Sequence, residues 1–213
     1  MRILITAGPT HEPIDPARYL TNRSSGKMGY ALAEAAVSAG HDVILISGPV
    51  ALAPPRRLQK FVAVKTADEM YDAVHAQTAR IDLAILCAAV GDFKMRSIRA
   101  RKIKKRGRAK LTLELVATRD ILASLANRKN NFAVVGFAAE TNDVIKNARK
   151  KLRAKNCDAI VSNDVSRINT GFASDHNAVT VLFRDDRTVK ISRARKSIIA
   201  KKLIALFAPK QKL

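Results

Sequence analysis

Ile3-Leu4-Ile5-Thr6-Ala7-Gly8-Pro9-Thr10-His11-Glu12-Pro13-Ile14-Asp15-Pro16-Ala17-Arg18-Tyr19-Leu20-Thr21-Asn22-Arg23-Ser24-Ser25-Gly26-Lys27-Met28-Gly29 is the stretch on which the fold turns. Its first four residues are a β-branched run suited to a buried parallel strand. The residues that follow it, Tyr30 to Ala39, are an Ala-rich helical pattern closed by Gly40. Between strand and helix the sequence reads as one long polar loop, whereas connections in α/β units usually need about 2–6 residues. The first strand-to-helix turn is also where such folds bind phosphates. Function is therefore expected here first.

Outward from that stretch the same alternation continues. Apolar, β-branched segments at 2–6, 43–47, 61–64, 83–88, 133–137, 158–162 and 178–183 are separated by helical patterns at about 26–39, 68–79, 119–127 and 142–155. This predicts an α/β fold, a Rossmann-like doubly wound, mostly parallel sheet with helices on both faces. The strands at 178–183 and 188–191, joined by Asp185-Asp186-Arg187, read as a C-terminal antiparallel edge, followed by a basic helix from about Ala194 to Phe207. No low-complexity linker divides the 213 residues, so residues 1–213 are expected to form a single domain.

Composition narrows the partners. The formal net charge is +21, and ten of the seventeen residues from Lys94 to Lys110 are Lys or Arg, with six more in the ten from Lys146 to Lys155. Such clusters favour polyanions, either nucleic acid or phosphorylated small molecules; a merely solvated basic surface is the competing explanation. Aromatic residues make up only 5%, which argues against base stacking and hence against nucleic acid as the partner. The apolar runs are too short to span a bilayer and no signal region precedes Ile3, so the expectation is a cytoplasmic protein with no membrane partner. Cys87 and Cys157 lack CxxC spacing and clustered His, and read as buried thiols.

In an open α/β sheet ligands sit beyond the carboxyl ends of the strands. Those ends read Ala7-Gly8-Pro9-Thr10, Ser47-Gly48-Pro49-Val50, Ala88-Ala89-Val90-Gly91-Asp92-Phe93, Ala138-Ala139-Glu140-Thr141 and Ser162-Asn163-Asp164-Val165, all small or polar. Small residues let backbone N–H groups approach a ligand, although tight helix–strand packing asks for them too. There is no GxGxxG. Gly26-Lys27 imitates the end of a P-loop, but Thr21 stands where its first glycine belongs and Met28 follows the lysine, which excludes that motif. Ser24-Ser25-Gly26 at a helix start still offers N–H donors and hydroxyls to a phosphoryl group; ordinary serine capping is the alternative.

Seven ordered blocks carry a specific resemblance over about Ile3 to Leu182. They are Ala7-Gly8-Pro9-Thr10 with Glu12 to Pro16 and Arg18, Asn22 to Gly29, Ser47 to Val50, Ala88-Ala89-Val90 with Asp92, Lys102-Ile103-Lys104-Lys105, Val135 to Thr141, and Asn163-Asp164. Together they resemble phosphopantothenoylcysteine synthetase of coenzyme A biosynthesis, in its bacterial, CTP-using type. The resemblance implies a ligase joining 4'-phosphopantothenate and cysteine. Its carboxylate is activated by CTP with Mg2+ to an acyl-cytidylate, releasing pyrophosphate, and the cysteine amine then displaces CMP. It also implies a homodimer and a basic flap over about residues 94–110. In many bacteria the family is fused to a flavin-dependent decarboxylase; this chain opens on the synthetase strand, so that half is either trimmed away or a separate partner.

By the same resemblance Asn22 and Lys102 are the catalytic residues. Asn22 would hydrogen-bond the reacting carboxyl oxygens and Lys102 the triphosphate. Arg18, Ser24, Ser25, Gly26, Ala88, Ala89 and Asn163 fall at substrate-binding positions. Gly8, Asp92, Lys102, Arg119, Asp120, Ile121, Leu122, Phe137, Lys151 and Lys155 fall at nucleotide-binding ones, the last two lysines one helical turn apart. No metal ligands are assigned. The chain departs from the family pattern at Gly91 (more often Ala), Phe93 (Tyr), Arg119 (Pro) and Ser162 (Ala), which touches base recognition more than the reaction. A dinucleotide-dependent reductase would share the alternation, but the chain has neither the glycine fingerprint nor a Tyr-x-x-x-Lys pair.

Overall fold

The computed structural model of the chain describes residues 1–105, 107, 110–127, 131–140, 143–164 and 174–208. Among these, β1 (Arg2–Ala7) lies between β4 (Asp42–Ser47) and β6 (Leu83–Leu86), parallel to both. The sheet extends on one side to β5 (Lys60–Ala63) and on the other through β9 (Ala133–Glu140) and β10 (Ala159–Asp164), still parallel. It closes with β11 (His176–Phe183) and β12 (Thr188–Arg195), which are antiparallel, giving the order β12-β11-β10-β9-β6-β1-β4-β5. This is the doubly wound sheet with an antiparallel edge that the alternation predicts.

β1 is buried on both faces from Ile3 to Ala7, and its side chains alternate between two cores as period two requires. Ile3, Ile5 and Ala7 face a cluster that includes Leu32 and Ala36 of α1 (Lys27–Ser38) and Ile199 and Leu203 of α5 (Lys196–Phe207). Leu4 faces the other cluster, with Met70 and Val74 of α2 (Ala67–His75), Ile121 and Leu125 of α3 (Ile121–Ala126) and Leu152 of α4 (Val144–Lys155). The helix patterns shift at their ends. Asp120 caps α3 by accepting from the Ala123 N–H at 2.8 Å, so Arg119 and Asp120 precede that helix. Ala194 belongs to β12, because pairing with Asn177 carries the strand on to Arg195. The start at 142 expected for the helix pattern 142–155, and Thr141 and Val165 of the expected strand ends, lie outside the described residues.

The long polar loop is not a loop throughout. β2 (His11–Asp15) and β3 (Arg18–Thr21) pair as an antiparallel hairpin, whose two prolines and charged residues hide it from any apolar pattern. Its carboxylates replace a core. Glu12, 2% exposed, accepts from the Ala67 N–H at the start of α2 at 2.8 Å. Asp15 accepts from the N–H groups of Ala17 (2.9 Å) and Ile103 (3.0 Å) and from the Arg18 guanidinium (2.5 Å), which also donates to the Ile103 carbonyl at 2.7 Å. Ile103 belongs to the basic segment between β7 (Phe93–Met95) and β8 (Leu115–Ala117), a two-stranded antiparallel pair. That segment, expected as the flap, is thus fastened to the hairpin at Ile103; its Arg106, Arg108 and Ala109 lie outside the described residues.

The Ile103 N–H and the Arg18 side chain hold the Asp15 carboxyl well below the ordinary carboxylate range. A carboxyl depressed in the folded state contributes stability that is complete above its unfolded value, about 4, and is lost as the pH falls below it. Asp15→Asn is expected to lower the urea midpoint and to speed proteolysis of the 96–105 segment at neutral pH. The difference from wild type should hold down to about pH 5 and shrink below about pH 4; a difference that widens in acid contradicts this clamp.

Candidate functional site

A cleft of about 700 Å³ opens beyond the carboxyl ends of β1, β6, β9 and β10. Its position follows from the strand order. The chain leaves β1 for β4 on one side and later enters β6 on the other, and this reversal parts the connections and leaves a crevice. Backbone bonds weld its rim: the Ala89 N–H donates to the Gly8 carbonyl at 2.9 Å and the Thr10 N–H to the Ala89 carbonyl at 3.3 Å. The buried Thr10 hydroxyl accepts from the Gly91 N–H at 2.9 Å, and the Thr118 hydroxyl donates to the Gly91 carbonyl at 2.7 Å. Gly91 is crowded here, since a Cβ would stand 3.3 Å from Glu12 Cγ.

Most of the residues expected from the sequence line this cleft: Asn22, Ser24, Ser25, Gly26, Ala88, Ala89, Asp92, Arg119, Asp120, Ile121, Leu122, Phe137, Lys151, Lys155 and Asn163. Three do not. Gly8 is not among the lining residues; a Cβ there would stand 2.9 Å from the Gly48 carbonyl oxygen, so its effect is to let the turns after β1 and β4 pack together. Arg18 is engaged by Asp15 and the Ile103 carbonyl. Lys102 is exposed on the segment that Ile103 fastens to the hairpin and does not line the cleft.

The Asn22 amide is held in place by its donors. Its Nδ2 donates to the carbonyls of Ala89 at 3.1 Å and Val90 at 3.0 Å. An amide has two N–H donors and one oxygen acceptor, so this arrangement leaves the oxygen for a ligand. A donor role toward substrate would require leaving those carbonyls. At the start of α1, Gly26 adopts φ 76° and no side chain caps the helix; the Ser24 hydroxyl instead accepts from the Gly26 N–H at 3.3 Å. The first-turn N–H groups therefore face the cleft's end of the helix uncapped by serine.

Across the cleft, Lys155 pairs with Asp120, and Lys151 donates to the Phe137 carbonyl at 3.3 Å. Burial raises the Asp120 pKa, but the Ala123 N–H and Lys155 outweigh it and keep the carboxyl below its ordinary value. Arg119 turns outward: it bridges Asp68 (3.1 Å) and Asp72 (2.8 Å) on α2 and lies 3.9 Å over the Tyr71 ring. Asp68 also pairs with Lys94 at the flap's base. Sequence reasoning missed Asn177 and Lys196 as cleft residues, whereas Phe93 stands at the cleft as its strand-end position implied. Lys196 carried no signal because it is one of three lysines of α5, and nothing local in sequence marks it as the buried one.

The fold and cleft define a doubly wound α/β protein with a crevice at the switch point of its sheet, the place where this class of fold takes ligands. Residues 1–209 match the family model described as DNA/pantothenate metabolism flavoprotein, C-terminal domain. The chain belongs to this family. It is 51% identical over 183 residues to the coenzyme A biosynthesis bifunctional protein CoaBC of Bacillus subtilis, covering 86% of this chain and 45% of that one. The chain thus spans about half the length of the curated relatives it matches. The crystal structure of the C-terminal domain of a CoaBC superposes with a TM-score of 0.82 at 40% identity, over 96% of this chain and 92% of that one. A Cab2 mutant solved in complex with phosphopantothenate-cysteine shares the fold, with a TM-score of 0.73 at 18% identity over 97% and 86% of the two chains.

The cleft also contains Cys87, which is only half-buried because it faces that opening, against the sequence expectation, whereas Cys157 is buried as expected; desolvation pushes the Cys87 thiol up to about 12 despite the nearby Lys196 charge and raises Cys157 to about 11. Neither thiol is poised as a nucleophile. At pH 8 a disulfide reagent is expected to label the native protein at least about 100-fold more slowly than the urea-unfolded chain. Native labelling of Cys87 at the unfolded rate would show the thiolate to be accessible after all.

Proposed function

We propose that the chain is a ligase of coenzyme A biosynthesis that joins 4'-phosphopantothenate to L-cysteine, giving (R)-4'-phospho-N-pantothenoylcysteine. The observation that carries this reading is the convergence, in a member of this family, of Asn22 and the small strand ends at Ala88 and Ala89 with Lys151 and Lys155 around one cleft. In this reading an oxygen of the pantothenate carboxylate attacks the α-phosphorus of CTP, and pyrophosphate leaves. The cysteine amine then attacks the acyl carbon, loses a proton, and CMP departs with the shared oxygen. The protein supplies position and charge and no covalent nucleophile.

Lys151 and Lys155 neutralise the triphosphate, and Lys102 joins them when the basic segment closes over the cleft. Asn22 serves the second step: its N–H groups stay on the Ala89 and Val90 carbonyls, and its oxygen accepts from the incoming amine. Mg2+ belongs to this reading as the companion of CTP. Among the described residues no three His, Cys, Asp or Glu side chains converge. The cleft does carry the carboxylates of Asp92 and Asp120. That donor set fits an ion held mainly by substrate phosphates, whose charge it offsets when bound, with Asp92 beside it. A homodimer and a cytoplasmic location are further parts of the proposal; among the described residues no helix is long and apolar enough to cross a membrane.

Two experiments test it. With 4'-phosphopantothenate, cysteine and Mg2+, turnover is expected to have a higher kcat/KM for CTP than for ATP, and the reverse order overturns the nucleotide assignment. Asn22→Asp sets a carboxylate against two carbonyl oxygens, so the side chain loses its seat. Amide formation should slow by about 10² to 10³, the range for removing one positioned polar group, while acyl-cytidylate accumulates. Lys102→Gln should instead slow formation of that intermediate. Quench-flow with labelled CTP separates the two, and CMP release at the wild-type rate in Asn22→Asp would remove Asn22 from the second step.

A further inference from the structure

The first turn of α2 is a junction between elements that border the cleft. Thr66 caps it, accepting from the Glu69 N–H at 3.2 Å, and the Glu69 carboxylate accepts from the Lys65 N–H at 2.6 Å. Asp68 does something else. One of its oxygens takes the Lys94 ammonium and the other takes Arg119 Nε at 3.1 Å, while the Asp68 carbonyl accepts from Arg119 Nη2 at 3.2 Å. Asp72, one turn on, takes the same guanidinium at 2.8 Å, and the Tyr71 ring packs against it. Lys94 foremost, and Arg119 with it, hold the Asp68 carboxyl below its ordinary value against partial burial. The two cations come from the two strands of one antiparallel pair: Lys94 lies opposite Val116 in β7 and β8, and Arg119 stands two residues past the end of β8. β7 and β8 form a sheet of their own, so no hydrogen bond of the main sheet fixes them. Each cation also adjoins a wall of the cleft. Asp92 and Phe93 precede Lys94, and Asp120, Ile121 and Leu122 follow Arg119; all five line the cleft, whereas Asp68 and Lys94 do not.

We propose that Asp68 is a positioning residue for the nucleotide, fastening both strands of the β7 and β8 pair to α2 and so fixing the wall at Asp92 and Phe93 relative to the wall at Asp120 to Leu122. The inference rests on the ligase reading, in which these walls receive the nucleotide, and adds the residue that holds them without lining the cleft. An isolated exposed ion pair contributes little to stability, but a carboxylate shared by cations from two strands forms a network, the case in which such pairs count. The Arg119 side chain then acts by restraint: its charge is spent on Asp68 and Asp72, and its backbone leads into the cap of α3 at Asp120. Glu12 brings the β2 and β3 hairpin to the same helix turn through the Ala67 N–H at 2.8 Å, so hairpin and cleft walls take their places from one helix start.

The test compares wild type, Asp68→Asn, Lys94→Met and the double variant in steady-state kinetics with 4'-phosphopantothenate, cysteine, Mg2+ and whichever nucleotide best supports turnover. Amide hydrogen exchange of the ligand-free proteins is read alongside by mass spectrometry. Asp68→Asn should raise the nucleotide KM about fivefold or more, with kcat and the other two KM values within about twofold of wild type, the pattern of lost binding rather than lost chemistry. Lys94→Met should move the nucleotide KM the same way by less, and the double variant should stay within about twofold of Asp68→Asn, because both substitutions cut one tie. In Asp68→Asn, exchange should quicken at residues 91–95 and 116–122 and keep its wild-type rate in β1 and β6. A nucleotide KM within about twofold of wild type, or unchanged exchange at those two stretches, overturns the proposal and leaves the ligase reading standing. A rise in all three KM values with faster exchange throughout the chain marks general destabilisation and overturns it too. If wild type turns over with no nucleotide, the ligase reading fails and exchange alone decides: quickening confined to the two stretches supports the tie, and unchanged or general quickening overturns it.

Discussion

The contact between Gly29 on α1 and Ala7 at the end of β1 is the constraint from which the site follows. A Cβ on Gly29 would lie 2.5 Å from Ala7 Cβ and 3.2 Å from the Thr6 carbonyl oxygen, so the helix can settle on the strand only where the side chain is absent. That close approach holds the start of α1 at the carboxyl edge of the sheet, beside the place where strand order reverses. Ser24, Ser25 and Lys27 are thereby delivered to the cleft by backbone packing. The residues between Gly8 and Gly26 must leave and return to nearly the same point, since Gly8 Cα lies within 3.5 Å of the Cβ position of Gly26. A hairpin is the economical way to spend such a length of chain, and it leaves β1 without disturbing the parallel core.

The hairpin in turn solves a charge problem. The chain carries +21, and ten basic residues crowd the segment from Lys94 to Lys110. Such a run repels itself and gains nothing from burial. The structure holds it at its start and near its middle. Lys94 pairs with Asp68 at the base, and Ile103 is clamped through its backbone by Asp15 and Arg18. Among the described residues Arg96, Arg99, Arg101, Lys102, Lys104, Lys105 and Lys110 stay exposed, and the cleft itself is bordered by Lys151, Lys155, Lys27 and Lys196. A surface of this kind lowers the cost of gathering polyanionic reactants, and it suits phosphorylated small molecules because the cations converge on a concave site.

Much of this could be read before any coordinates. The β-branched runs with helical patterns between them give the parallel sheet, and the small or polar strand ends locate the cleft, because both signals are local. Asn22, Ala88, Ala89, Phe137 and Asn163 stand at the cleft as their motif positions imply. What stayed hidden depends on contacts distant in sequence. The β2–β3 hairpin buries Glu12 and Asp15 through partners at Ala67 and Ile103, so it has no apolar alternation to betray it. Lys196 looks in sequence like the other two lysines of α5. Arg18 and Lys102 have the right motif neighbours but spend their position on, or beside, the Ile103 clamp, and Arg119 directs its charge to α2.

The central claim is that this cleft activates a carboxylate at the α-phosphorus of a nucleotide. It is tested most directly with 4'-phosphopantothenate whose carboxylate oxygens carry oxygen-18, incubated with cysteine, CTP and Mg2+ and followed by mass spectrometry of the products. The account predicts one labelled oxygen in the phosphate of CMP, carried there when the amine displaces the acyl-nucleotide bond. Label appearing in inorganic phosphate or pyrophosphate, with CMP unlabelled, would contradict it.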